Sequence, residues 1–204
     1  MLVERLSLWL QRNPRPASEK TPYSGGKLPA WPRNVLFSRD GVIESQYAPI
    51  RAAEIPAIND AYQQVHKNDK TNNPDITFVV VGKHHHTRFY AIEDEDTYDS
   101  KVGNQTGIKN GNVRPGLIVE TIMTHPWCHD FYLQSHAAIK GTARSAHYFV
   151  LHDHMEISME NLQKVTHSLC YAFSRATKGV SYCAPAYIAD RLCERGRCYT
   201  GQWQ

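Results

Sequence analysis

Residues 76–81 read Ile-Thr-Phe-Val-Val-Val, an almost unbroken run of apolar and β-branched side chains. A strand with one wet face alternates apolar and polar positions, whereas a run without alternation belongs to a strand covered on both faces. Such a strand needs neighbours on either side and helices above and below it. An α/β sheet with flanking helices is therefore expected.

The rest of the chain supplies those elements. Further strands are predicted at Asn34 to Ser38, Thr87 to Ile92, Leu117 to Thr121, Asp130 to Gln134 and His147 to Leu151. Residues 1–12 read as a helix with Leu2, Leu6 and Leu10 on one face and Trp9 beside them. Asn13 to Arg33 holds five prolines and two glycines and reads as a linker. Glu54 to Lys67 is a predicted helix with Pro56 in its first turn. Ser158 to Thr177, capped by Ser158, and Ala184 to Arg197 are two more, with Gly179 suited to a C-cap and Pro185 to an early helical position. The acidic stretch around Glu93 and the segment Gly103 to Gly116 read as a long loop.

Composition limits what these elements can serve. The 204 residues suffice for one domain, and 41% apolar with 21% charged residues is the balance of a soluble globular protein. No stretch approaches the roughly 18 apolar residues of a membrane span, so no membrane association is expected. The first ten residues have helical spacing and a Glu, with no small-residue cleavage site after them, which argues against a secretory signal. Five cysteines without a CxxC pair suit reduced thiols in an intracellular compartment. Net charge is only +3, but Glu93 to Asp96 and Asp99 concentrate acid in one place and leave the remaining surface more basic. Lys164, Arg175, Lys178, Arg191, Arg195 and Arg197 fall on predicted helices and form either a solvated charged face or a nucleic-acid surface.

Four segments carry candidate chemistry. Arg39-Asp40-Gly41 ends the first strand with a carboxylate, and the glycine permits a sharp exit that keeps it exposed. Such an Asp suits a Mg²⁺-dependent phosphodiesterase, and it also suits an ordinary turn. Lys83 to Arg88 places three histidines between two cations at a strand end. Neighbouring side chains on extended backbone alternate in direction, so a phosphate-contacting rim fits better than one metal ion shared by all three. Ser135 to Arg144 leaves another strand with small residues and two cations, as a phosphate-approaching loop or a plain hairpin would. Finally, Asp190, Glu194 and Arg197 share a helix face. An intrahelical salt bridge explains that spacing; alternatively, Asp190 faces Asp40 across the sheet edge.

Taken in order, these blocks resemble the C-terminal part of the PIWI domain of Argonaute proteins. The resemblance is carried by Phe37 to Tyr47, Ile76 to Phe89, Gly111 to Gly116, Thr124 to Pro126, Asp130 to Arg144, His147 to Leu151, Leu169 to Thr177 and Ala184 to Tyr199. It covers most of residues 34–199 and is closest in character to fungal Argonautes. The organisation it implies is an N-terminal helix and linker (1–33), a partial PIWI domain (34–199) and a tail (200–204).

The resemblance implies an RNase H-like fold, with a mixed sheet, whose first strands lie upstream of Met1. It implies guide-directed RNA cleavage with two Mg²⁺ ions held by Asp-Glu-Asp-His or Asp-Glu-Asp-Asp. Asp40 matches the third member of that set and Asp190 the fourth, as catalytic and metal-binding residues; the first Asp and the Glu fall before Met1. Half a set leaves two divalent ions poorly held, so no slicer activity is expected of this chain alone. Lys83, Arg88, His136, Arg144, Arg175 and Lys178 match basic positions along the guide backbone. Ser181 and Tyr187 match hydroxyl donors, Arg195 matches the residue that reaches the guide 5′-phosphate, and His84 stands where an Arg is common. The implied partners are small guide RNA and target RNA in RNA silencing, in the cytoplasm or also the nucleus. Three readings follow: an RNA-binding PIWI fragment, a nuclease completed by upstream sequence or a partner chain, or a non-catalytic interaction module. Lacking first strands would leave a raw sheet edge for a protein partner.

Overall fold

The computed structural model describes residues 33–65, 73–100, 108–138 and 141–199. In chain order the elements are β1 (Asn34–Asp40), α1 (Tyr47–Val65), β2 (Asp75–Gly82), β3 (Thr97–Ser100), β4 (Ile108–Val113), β5 (Leu117–Val119), β6 (Asp130–Gln134), β7 (Ala146–Asp153), α2 (Met159–Cys170) and α3 (Ala184–Tyr199). Five strands form one mixed sheet in the order β1-β2-β7-β6-β5, and β3 pairs with β4 apart from it. β1 runs parallel to β2, while β7, β6 and β5 are joined antiparallel. The expected helix over residues 1–12, nearly all of the linker and the 200–204 tail lie outside the described residues.

β2 is buried along its apolar run, and its alternate side chains enter two separate cores. Ile76, Phe78 and Val80 pack with Val42 and with Ile58 of α1. Val79 and Val81 turn the other way, onto Phe131, Leu133, Tyr148, Leu162 of α2 and Ala186 of α3. Each fully buried side chain of this size contributes about 1.5–3 kcal/mol, so the two-sided strand is the main organiser of the sheet.

Several elements depart from the sequence expectation, each for a local reason. α1 starts at Tyr47, so Pro56 is inside the helix rather than in its first turn. Pro49 occupies the first turn, and Pro56 and Ala52 lie on the exposed face, where water can replace the lost backbone bond. No strand forms over Thr87 to Ile92: Tyr90 makes one isolated bridge to Asn112, and the Arg88 guanidinium donates to the carbonyls of His85 (3.2 Å) and Thr87 (2.7 Å). The long loop contains β3 and β4, whose buried Thr97 and Val113 face each other in register. α2 ends at Cys170, well before Thr177. Its buried stripe of Leu162, Gln163, Thr166 and Cys170 runs out there, and the chain doubles back so that Val180 N donates to Cys170 O (2.9 Å).

Candidate nucleic-acid interface

Because β1 and β2 are parallel, their C-terminal ends share one sheet edge, and the β6–β7 connection emerges at the same edge. Asp40, the last residue of β1, pairs in register with Val81. The strand period sends Arg39 and Asp40 to opposite faces. Arg39 Nε bonds Glu54 Oε1 of α1 at 3.0 Å, while Asp40 turns toward α3. Gly41 takes φ 73°, the left-handed turn that glycine adopts freely, and its N–H donates to Asp40 Oδ1 at 2.6 Å. Burial raises the Asp40 carboxyl pKa, the Gly41 N–H holds it down, and repulsion from Asp190 adds to the rise. The two carboxylates are thus within each other's field. Glu194, meanwhile, pairs with Arg191 at 2.6 Å. The Arg197 side chain lies outside the described ones.

Cations surround the pair. Lys83 is half-buried, its pKa lowered by burial and by Arg144, with Asp40 opposing. Arg144 is exposed and its guanidinium donates to the Lys83 carbonyl at 3.2 Å. His84 is exposed within the field of Asp40, and His86 is also exposed. His85 points inward, its Nε2 2.8 Å from Ser145 O, so the three histidines diverge as extended backbone requires. His136 departs from the expected basic contact. Burial first, and then Lys83, push its pKa down to about 4, so the imidazole is neutral at neutral pH.

The remaining expected residues stand further out. Arg175 and Lys178 are exposed in the turn 171–183 rather than on a helix, and Ser181 is half-buried in the same turn. Arg195 is exposed on α3, past Asp190. Tyr187 is half-buried between Phe173 (4.6 Å between centroids) and Tyr182 (5.1 Å). Arg88 is half-buried against its own backbone, as described above, and so departs from an open phosphate contact.

Polar groups, most of them buried, fix the loops bearing these cations. Gln134 Nε2 donates to His136 O (2.5 Å) and Gln134 Oε1 accepts from Ser145 Oγ (2.8 Å), closing the β6–β7 loop at its base. Asn112 donates to Gly141 O (2.8 Å) and accepts from Ala143 N (2.7 Å), pinning the middle of that loop. Ser135 Oγ donates to Val180 O (2.6 Å), and Tyr171 Oη to Ser135 O (3.2 Å), tying it to the 171–183 turn. Gly179 serves close approach rather than a cap: a Cβ there would meet Ser135 O at 2.7 Å and Tyr171 Cζ at 2.8 Å. The one available signal was Gln134, a polar residue closing the apolar run Phe131 to Leu133.

Two carboxylates within each other's field suit at most one hydrated divalent ion and fall short of a two-ion arrangement, which needs several more anionic oxygens. Among the described residues no cluster of three or more His, Cys, Asp or Glu could hold a metal. What remains chemically is an acidic pair ringed by donors, on the edge of a mixed sheet.

A mixed sheet with helices on both faces and carboxylates at its edge defines an RNase H-like domain. The Piwi domain family matches residues 27–201, and the chain belongs to that family. Protein argonaute 18 of Oryza sativa subsp. japonica is 40% identical over 171 residues, which are 84% of this chain and 15% of the rice protein. The C-terminal lobe of a budding yeast Argonaute superposes with a TM-score of 0.73 at 29% identity, over 97% of this chain and 36% of that one. Kluyveromyces polysporus Argonaute, solved with a guide RNA, gives the same score and identity over 97% of this chain and 22% of that one. The chain thus spans a small part of the length of its relatives.

Proposed function

We propose that this chain is an Argonaute PIWI segment that binds single-stranded guide RNA and its target along the β1–β2–β6 edge, in RNA silencing, with an incomplete slicer site. The observation that carries this reading is the convergence of Asp40 and Asp190 at a rim bearing Lys83, His84 and Arg144, in a Piwi-family fold. Lys83, Arg144, Arg175, Lys178 and Arg195 supply phosphate contacts, Ser181 and Tyr187 neutral donors, and neutral His136 a hydrogen-bonding group. Arg88 stiffens the 85–88 segment. Asp40 and Asp190 would hold Mg²⁺, the metal expected of the family, which would supply charge neutralisation there. Localisation in the cytoplasm or nucleus follows from the same reading.

Binding of a labelled single-stranded RNA measured against salt tests it. With five phosphates neutralised, log Kobs should fall with log salt at a slope of about −3.5. Arg144→Ala and Arg195→Ala should each weaken binding and shallow that slope by about 0.7. Salt-independent binding, or unchanged affinity in both variants, would remove the RNA surface from consideration. Guide, complementary RNA and Mg²⁺ should yield no cleavage product with this chain alone. Product that vanishes on Asp40→Ala would overturn the incomplete-site assignment.

A second reading, a nuclease completed by another polypeptide, is favoured by one observation. Among the described residues β1 pairs on one edge only, with its catalytic-type Asp40 at the end of that open edge.

A further inference from the structure

Tyr182 belongs to none of the motifs above, yet it stands at the inner end of the rim. Its backbone is fixed on both sides: Val180 N donates to Cys170 O (2.9 Å) and Cys183 N to the buried Tyr148 Oη (3.0 Å). The half-buried ring lies 5.1 Å from Tyr187, which in turn lies 4.6 Å from Phe173. Lys83 Nζ sits 6.0 Å from the Tyr182 centroid, and the Arg191 guanidinium 5.4 Å from that of Tyr187. These rings thus form a short aromatic row interleaved with cations, the pairing that single-stranded nucleic acid uses. The row ends at the carboxylates, because Asp40 and Asp190 both act on the Tyr182 phenol.

We propose that the Tyr182 hydroxyl and the Lys83 ammonium form a subsite for one backbone phosphate of single-stranded RNA, beside the Asp40–Asp190 pair. The inference rests on the RNA-binding reading above and adds to it a residue which that reading does not use. Two carboxylates repel a phosphodiester, so a phosphate that approaches them needs donors close by that keep their protons. The phenol is such a donor: a tyrosine hydroxyl, with an ordinary pKa of about 10, remains an O–H throughout the physiological range. Lys83 brings the charge. An arriving phosphate supplies it with a counter-charge. The bland role for Tyr182 is packing, since its ring also lies against the α2–α3 core. Phenylalanine would fill that role equally well, which makes the two roles separable.

The test is anisotropy of a labelled single-stranded RNA with the 204-residue chain across a salt series. Tyr182→Phe should weaken binding about tenfold at fixed salt, as loss of a hydrogen bond to a charged group does. It should leave the salt slope unchanged, because a neutral donor releases no counterion. Lys83→Gln should weaken binding and shallow the slope by about 0.7. Tyr182→Phe binding within about twofold of the parent would overturn the subsite. So would full affinity in Tyr182→Phe with a loss in Tyr182→Leu, which would assign the effect to the ring. If the unmodified chain shows no salt-sensitive binding, the RNA reading itself fails, and the subsite with it.

Discussion

His136 shows how a side chain's surroundings decide its chemistry. The folded imidazole takes up its proton only near pH 4, whereas in the unfolded chain it does so near the ordinary value of about 6.5. Between those values the unfolded state binds more protons, so this residue's contribution to stability is present at neutral pH. It is lost as pH falls from about 6.5 toward about 4. His136→Gln should therefore reduce the acid sensitivity of the fold. Allowing for solvent at a half-buried site, the expected change in the stability difference between pH 7 and about pH 4.5 is roughly 1 kcal/mol. Urea melts at the two pH values measure it, and an identical pH slope in both proteins would place the ring in water instead. The placement of Asp40 was legible from sequence because it depends on adjacent residues: a strand before it and Gly41 after it. The neutrality of His136 was not legible, because burial and Lys83, distant in sequence, set it. The surroundings of Tyr182 were not legible for the same reason, since Lys83 and Tyr187 reach it only through the fold.

At the scale of elements, β2 was legible from its unbroken apolar run, and the Ser158 cap of α2 and the Ala184 start of α3 were legible too, whereas the start of α1 and the end of α2 were not. α1 gained about two turns before Glu54 because Tyr47 and Ile50 find the sheet, and tertiary packing outweighs the cost of an interior Pro56. α2 lost its last turns because the segment from Tyr171 onward finds better partners in the β6–β7 loop. That exchange turns Gly179 into the tightest point of the site. Gly179→Ala would drive a methyl group into a backbone carbonyl and a ring that are already bonded to each other, so the 171–183 turn must lift. The expected cost is about 1–3 kcal/mol of stability, in the range of other overpacked positions. Because the turn carries Arg175, Lys178, Ser181 and Tyr182, RNA affinity should fall as well. A thermal melt beside an anisotropy titration checks both, and parent-like values in each would show that the turn has room to give.

For the whole molecule, the fold class followed from one buried strand, while the sheet's open side was expected from the resemblance alone, since pairing partners cannot be counted from periodicity. β1 is half-buried along most of its length, yet its outer edge has no strand beside it among the described residues. In a parallel pair, alternate residues direct both N–H and C=O to the same side. Half of the β1 amides therefore face β2 and half face away. Hydrogen exchange should accordingly be alternating in β1 and uniformly slow in β2, which is paired on both sides. An added strand would satisfy the outward groups and would run beside Asp40, where further carboxylates are needed. Raising the concentration of this chain, or adding a polypeptide that carries an acidic strand, should slow the outward β1 amides selectively. On the second functional reading, Mg²⁺-dependent cleavage of guided RNA should appear only with the added polypeptide and be abolished by Asp40→Ala. Uniformly slow exchange in β1 at low concentration would mean that the edge is already closed. A nuclease made whole from outside would then have no place to dock.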